Sequence, residues 1–326
     1  MQIRTQYFEK RVSELLSRGE PFFFLVDYEQ RQPMVHTFGE AFDHNILFNI
    51  KGTTNFTPKP NVLANPLELS LTPIPFTRYQ RAFEKVMRHI KNGDSFLLNL
   101  TFPTEINQNL DLGQIYHRAS APYKLLYKEK FVCFSPECFI KIKDGHIYSY
   151  PMKGTIDATL PNARERLLND AKETQEHNTI VDLIRNDLSR VAREVTVTRF
   201  RYVEKIISER GVLLQTSSEI RGRLPKDWKV HFHQLLSKLL PAGSISGAPK
   251  EKTMSIIKET EQYDRGFYTG IFGIFDGKQL ESAVAIRYIE KKGDKTFYKS
   301  GGGITHKSKL REEYDEMLKK VYVPTL

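Results

Sequence analysis

An α+β fold is what this sequence predicts, and three observations carry that expectation. Strand patterns cluster at residues 131–155 and 268–304, while helical patterns occupy separate stretches at 76–91, 163–191 and 308–321. The regular strand–helix–strand alternation of a parallel sheet is missing from that order. The 326 residues also contain no internal repeat and no low-complexity tract, which excludes a solenoid or a fibrous array.

Residues 1–75 read as short strands and loops, and Pro58, Pro60, Pro66, Pro73 and Pro75 mark a linker at their end. From Phe76 to Lys91 the apolar residues Phe83, Val86 and Ile90 recur at helical spacing. A strand follows from Ser95 to Thr101. Phe131 to Thr155 reads as a hairpin around Lys143-Asp144-Gly145. A three-residue loop pairs Ile142 with His146, Ile140 with Tyr148 and Cys138 with Tyr150, which gathers one apolar face. A two-residue loop pairs Lys141 with Tyr148 and Ile140 with Ser149, which mixes the faces. Since a one-residue slip inverts every side chain, the three-residue register is expected. It sets Glu137 and Lys153 on one face, diagonally offset and within reach of one ligand.

A long helix is expected from about Ala163 to Val191, with Leu167, Ala171, Ile180, Ile184 and Leu188 as its core residues. Pro249 opens another helix that runs through Met254 and Ile257. Tyr268 to Ile304 reads as a three-strand meander with turns at Asp276-Gly277 and Gly293-Asp294. A final helix runs from about Ser308 to Val321.

Composition narrows the function classes. Hydrophobic residues at 40% and charged residues at 27% describe an ordinary globular protein. Only Cys133 and Cys138 are present, too few for a disulfide framework or a four-cysteine zinc site, and both read as reduced core thiols. Phe22 to Val26 is far short of the roughly 20 apolar residues of a membrane span. Met1 to Arg11 has no apolar signal core. A cytoplasmic enzyme is therefore the expectation. The formal charge of +10 is spread over interleaved acidic and basic residues, without the basic stripe of a nucleic-acid binder.

Several constellations could carry chemistry. Glu173 and Glu176 are three apart on one helix, and Glu313 and Glu316 repeat that step on the last helix. Each step sets two carboxylates on one helix face. Each is either a solvated face or half of an oxygen-rich site suited to Mg²⁺. Lys320 lies one turn beyond Glu316. On the strand Ser282 to Ile289, alternation sets Arg287 beside the small Ala283 and Ala285, free to grip a carboxylate or to stand in solvent. Gly301-Gly302-Gly303 is either a plain turn or a run whose backbone amides approach an anion. Gly243 to Lys250 lacks the spacing of a nucleotide-binding phosphate loop, which excludes an ATPase. His231 and His233 read as a surface pair.

These signals occur within a series of ordered motifs. They are Ser135-Pro136-Glu137, Pro151-Met152-Lys153-Gly154-Thr155, the segment from Glu176 to Asp187, and Pro241 to Lys250. Ala285-Ile286-Arg287, Gly301 to Ile304, and Glu313-Tyr314-Asp315-Glu316 with Lys320 follow. In that order they resemble the chorismate-utilising enzymes, and within them the aminodeoxychorismate synthase component I subfamily. The resemblance covers about Pro75 to Val323. It implies a large α/β sandwich whose antiparallel sheets surround the active site. Residues 1–326 then form a single chorismate-binding domain, with 1–74 a reduced N-terminal subregion and 75–324 the catalytic core.

The resemblance also implies roles. Glu176 and Glu316 would bind Mg²⁺ directly, with Glu173 and Glu313 acting through water. Tyr268, Arg287, Lys320 and the Gly302 and Gly303 amides would hold the substrate's carboxylates or enolpyruvyl group, and Gly154 and Thr155 would border the substrate. Glu137 corresponds to the acid that protonates the departing 4-hydroxyl. Lys153 separates the subfamilies: anthranilate synthases generally carry Ala there, whereas in aminodeoxychorismate synthases this amine attacks C2 as the hydroxyl leaves. Ammonia, from a separate glutamine amidotransferase subunit, then enters at C4 and expels the lysine. The product, 4-amino-4-deoxychorismate, feeds para-aminobenzoate and folate biosynthesis. Mg²⁺ and desolvation are both expected to depress the Lys153 pKa. Two departures stand out: Leu97 occupies a position where the family has Gln or Lys, and a family histidine is replaced at Leu213 or Leu214. The alternatives are anthranilate synthase component I and a non-catalytic chorismate-binding subunit.

Overall fold

A computed structural model describes residues 2–57, 66–208, 211–247 and 249–325. Pro58, Pro60 and Ala248 lie outside the described residues. Two large sheets make up the molecule, and every strand pairing in them is antiparallel. The first runs Met152–Asp157, Gly211–Arg223, His146–Ser149, Cys138–Lys143, Leu280–Val284, Ile271–Phe275, Phe22–Val26 and Met34–Thr37, with Arg193–Ser208 also on Gly211–Arg223. The second runs Thr53–Thr54, Ile46–Ile50, Tyr123–Tyr127, Phe131–Ser135, Tyr288–Lys292, Lys295–Ile304, Leu98–Gln108 and Leu69–Thr72. The architecture is α+β, a sandwich with helices on its outer faces.

The apolar run Phe22–Val26 shows why both faces of a sheet must be covered. Phe23 and Leu25 enter the core between the sheets, against Phe48, Phe131 and Phe272. Phe22, Phe24 and Val26 point the other way, under the Gln2–Arg18 and Phe232–Leu239 helices. Each fully buried Phe contributes roughly 1.5–3 kcal/mol. The outer face of the second sheet is covered by the helices Phe76–Lys91, Lys250–Glu261 and Leu310–Lys319 through Phe83, Val86, Ile257 and Met317.

After a first change of sheet through the helix Phe38–Asp43, the chain crosses between the sheets at two adjacent places. Pro136-Glu137 links Phe131–Ser135 in the second sheet to Cys138–Lys143 in the first, and Ala285 to Arg287 links Leu280–Val284 back to Tyr288–Lys292. Backbone hydrogen bonds tie the crossings together: Val284 N–H donates to the Glu137 carbonyl at 3.2 Å, and Phe134 N–H to the Arg287 carbonyl at 3.2 Å.

Several expectations need correction. The first quarter opens with the 17-residue helix Gln2–Arg18, whose Phe8, Val12, Leu15 and Leu16 have helical spacing and are buried. Its strands pair into both sheets, and Leu69–Thr72, within the expected linker, pairs with Leu98–Gln108. The strand expected at Ser95 begins at Leu98.

The hairpin takes the two-residue register, with His146 opposite Lys143 and Ile147 opposite Ile142. Asp144 and Gly145 both have positive φ, 51° and 72°, as a type I′ turn needs. The apparent mixing of faces at Ser149 costs little, because its buried hydroxyl donates to the Phe139 carbonyl at 3.2 Å.

Further along, the long helix is two, Ala163–Asn169 and Ala171–Ser189, separated by Asp170, which caps the second. Ala171 is exposed, and His177 and Val181 join Leu188 on the buried face. The three-strand meander is four strands, one hairpin in each sheet. His231 and His233 bond to separate carboxylates, Asp227 and Glu9.

Candidate active site

A cavity of about 710 Å³ opens beside the two crossings, and Glu137, Lys153, Glu176, Tyr268, Arg287 and Lys320 all line it. Local backbone irregularities aim two of these side chains. Between Met152, opposite Ser217, and Thr155, opposite Gln215, the register slips, so Lys153-Gly154 forms a bulge with Gly154 at φ 84°. Bulges re-aim side chains, and this one turns Lys153 into the cavity. Its Nζ lies 2.7 Å from Glu176. A Cβ on Gly154 would sit 3.2 Å from Glu173 Oε2, so the glycine lets that carboxylate approach.

Arg287 has φ 53° at the second crossing, and its guanidinium lies 5.0 Å from the centre of the Tyr322 ring. The expected continuous strand Ser282 to Ile289 is therefore broken. Ala283 and Ala285 are buried in the core between the sheets and leave no space beside the arginine.

The two acidic steps come together around the lysines. Lys320 Nζ lies 2.7 Å from Glu316 Oε1 and donates to the Gly301 carbonyl at 2.9 Å. Desolvation lowers the Lys153 pKa, but Glu176, Glu173 and Glu316 outweigh it and hold the amine above its ordinary value. Among the protein's own groups the carboxylates dominate. Burial raises the pKa of Glu173 and of Glu313, and a neighbouring glutamate adds to each. Glu316 is lowered because Lys320 outweighs its desolvation.

An all-oxygen donor set fits a hard divalent cation. Among the described residues, no three carboxylate, histidine or cysteine groups converge on one metal position. Ammonium groups sit instead on Glu176 and Glu316.

Gly301 to Gly303 lie inside the strand Lys295–Ile304 and make no turn. At Gly302 the missing side chain leaves room for the acidic step: a Cβ would meet Glu313 Oε2 at 3.2 Å, Glu316 Oε1 at 3.6 Å and Lys320 Nζ at 3.7 Å. Thr155 is exposed on its strand and is not part of the cavity wall. Tyr268 is buried, which raises its pKa.

Glu137 is held by its backbone and by one side chain. Its N–H donates to Ser135 Oγ at 3.1 Å, and its Oε1 accepts from Ser244 Oγ at 2.7 Å. Burial pushes its pKa up against Ser244 and Arg287, which both favour the anion.

Sequence reasoning missed several wall residues. Gln215 lines the cavity, whereas Leu214 is buried in a small apolar cluster with Ala163 and Leu167. Strand parity sets the two side chains on opposite faces, and the pairing of Thr155 with Gln215 fixes that parity. Ile180 and Ile184 line the cavity and are only partly buried. Leu97 lines it as well, its Cδ1 3.0 Å from a Cβ placed on Gly303. Ser244 lies within the motif Pro241 to Lys250, where the sequence alone assigns the serine no role of its own.

Comparison with known proteins supplies a family. A family model described as chorismate binding enzyme matches residues 11–325. The chain is 54% identical over 317 residues to an uncharacterised PabA-like protein of Pasteurella multocida, covering 97% of this chain and 98% of that one. It is 32% identical to aminodeoxychorismate synthase component 1 of Bacillus subtilis, over 76% of this chain and 55% of that longer protein. Its fold matches a crystal structure of anthranilate synthase component I from Streptococcus pneumoniae with a TM-score of 0.68 and 28% identity, over 81% of this chain and 62% of the other.

Proposed function

The chain belongs to the chorismate-binding enzyme family, and on that premise we propose that it is the chorismate-aminating component I of an aminodeoxychorismate synthase. One observation carries the reading: an amine, Lys153, and a half-buried acid, Glu137, line the same cavity. Lys153 Nζ must first lose a proton, and Glu176, 2.7 Å away, is the nearest group to take it. The free amine then bonds to C2 of chorismate. The ring double bond shifts, and the 4-hydroxyl leaves as water on the proton from Glu137. Ammonia bonds to C4, the double bond shifts back, and the C2–Nζ bond breaks. The sum is chorismate plus ammonia giving 4-amino-4-deoxychorismate plus water.

Arg287, Tyr268 and Lys320 would bind the substrate's carboxylates or enolpyruvyl group, helped by the opening at Gly302 and Gly303. Glu176 and Glu316 would hold Mg²⁺, with Glu173 and Glu313 through water. Bound there, the ion supplies positive charge to the ring carboxylate.

Ammonia would come from a separate glutamine amidotransferase. Burial raises both thiols, Cys138 to about 12, which suits core residues and not a glutaminase nucleophile. The test is a mass-spectrometric product assay with chorismate and Mg²⁺, with and without ammonium. Ammonium-dependent 4-amino-4-deoxychorismate is expected, and it disappears in Lys153→Ala. Anthranilate with pyruvate would make the chain an anthranilate synthase component I, and isochorismate would exclude amination. Binding of chorismate without turnover would leave a non-catalytic subunit.

A further inference from the structure

Ser244 sits where two sequence motifs meet. The short helix Gly243–Ser246 packs on the helix Ala171–Ser189 so closely that a Cβ on Gly243 would come within 2.7 Å of Asp187 Oδ2. Asp187 is in turn 2.8 Å from Lys250 Nζ, which also donates to the Leu239 carbonyl at 2.7 Å, and both ionic side chains are largely buried. This clasp fixes the Gly243–Ser246 backbone and with it the Ser244 hydroxyl, which donates to Glu137 Oε1 at 2.7 Å. It is the one hydrogen bond to that carboxylate among the described residues. Behind it lies a second, water-sized cavity of about 30 Å³, bordered by Glu137, Ser149, Tyr150, Asp187 and Ser244. Glu137 and Ser244 thus separate the large cavity from the small one.

We propose that Ser244 is a positioning residue for the acid: by donating to Oε1 it reserves Oε2 of Glu137 for the proton delivered to the substrate. A carboxylic acid carries one proton on either oxygen. An oxygen that already accepts a hydroxyl proton is the poorer place for it, so the acidic proton is directed to the other. Once that proton is given away, the same hydroxyl bonds a charged oxygen, and such bonds are roughly twice as strong as neutral ones. Ser244 therefore acts most strongly after the transfer, where it lowers the barrier. Besides Ser244, the charged or titratable groups around Glu137 are Arg287 at the crossing, Asp187 with Lys250 behind it, and Tyr150 across the small cavity.

The proposal rests on the assignment of Glu137 as the acid, and its first test needs no turnover. The carboxyl signal of Glu137 in the free protein, assigned by its loss in Glu137→Gln, is titrated in wild type, Ser244→Ala and Ser244→Thr by difference infrared spectroscopy. Removing the donor shifts the midpoint to higher pH by about half a unit or more, and Thr restores it. In chorismate turnover at fixed free ammonia, Ser244→Ala lowers kcat roughly tenfold with KM within about twofold, and the high-pH decline of kcat moves up with the midpoint. An unmoved midpoint, or a loss of activity that Thr does not rescue, overturns the proposal. Should wild type form no aminated product, the assigned function fails, while the titration still decides the role of Ser244. Ser244→Cys, of similar size but a weak donor, keeps the shape and separates packing from hydrogen bonding.

Discussion

Two ionic clusters are built on opposite principles, one lining the cavity and one set behind its wall, which it reaches through Thr269 and Lys299. In the dry one, Arg265 and Glu261 are each about 1% exposed and joined through two nitrogens, at 2.5 and 2.8 Å. Nearly every remaining group of the pair is occupied. Glu261 also accepts from the Thr101 backbone and hydroxyl, Arg265 donates to the Asn99 carbonyl and Thr269 Oγ1, and its guanidinium lies over Tyr28. Lys299 continues the network to Glu290. The other cluster uses lysines, leaves Lys153 43% exposed, and gives Glu176 and Glu316 each one close cationic contact. A saturated, desolvated network has no bond to spare for a ligand and holds the wall in place. An unsaturated one can exchange partners.

The largest expected effect is on chemistry. Lys153→Ala should reduce formation of the aminated product by about 10⁴-fold, equivalent to about 5.4 kcal/mol, while Tm moves by less than roughly 2 °C. A collapse of Tm in step with activity would show that the exposed cluster is scaffold after all. Arg265→Met should do the reverse. Removing one partner of a buried pair leaves an uncompensated charge and destabilises by about 3–5 kcal/mol, read by urea unfolding. The double variant Glu261→Gln with Arg265→Met should recover part of that loss. An Arg265→Met protein as stable as wild type would remove the contrast between the clusters.

A smaller effect comes from crowding of like charges. Glu313 has its pKa raised above the ordinary value of 4.5, chiefly by desolvation and further by Glu316. A carboxyl raised in the native state binds its proton more tightly there than in the unfolded chain. It therefore withdraws stability as pH climbs from 4.5 through the raised value. Glu313→Gln should raise Tm at pH 7.5 by roughly 1–3 °C and flatten its decline over that window. Added Mg²⁺ should stabilise wild type more than the variant. A lower Tm for Glu313→Gln at pH 7.5 would show that this carboxylate is already compensated.

The sequence exposed these two clusters unequally. Glu137, Lys153, the two acidic steps and Arg287 were legible because their chemistry lies in short ordered motifs. The helix Phe76–Lys91 was legible because Phe83, Val86 and Ile90 share one face. The dry cluster left only the four-residue step from Glu261 to Arg265 as a local mark, and Thr101 meets it across 160 residues. The hairpin register was misread because Ser149 looks like a solvent residue until its carbonyl partner is known. Arg287 was placed by strand alternation, which a single left-handed residue cancels. Gln215 required strand pairing. For Gln215 and for Thr101 the deciding contact lies outside the segment being read.

The finest test uses adjacent glycines on one strand. At Gly301 a Cβ would fall 2.2 Å from the Leu100 carbonyl oxygen, an immovable backbone atom that belongs to the scaffold. At Gly302 the nearest atom is Glu313 Oε2 at 3.2 Å, the end of a flexible side chain, with Glu316 and Lys320 just beyond. Gly302→Ala should therefore fold with an unchanged Tm, since a carboxylate can swing aside by a few tenths of an ångström. The added methyl enters the space between the strand and the acidic step of the last helix. KM for chorismate should rise about three- to tenfold, equivalent to about 0.7–1.4 kcal/mol, with kcat nearly constant. Such a split means that the glycine serves ligand binding. A fall in Tm with KM unchanged would instead assign Gly302 to the scaffold and move the boundary between the two clusters by one residue.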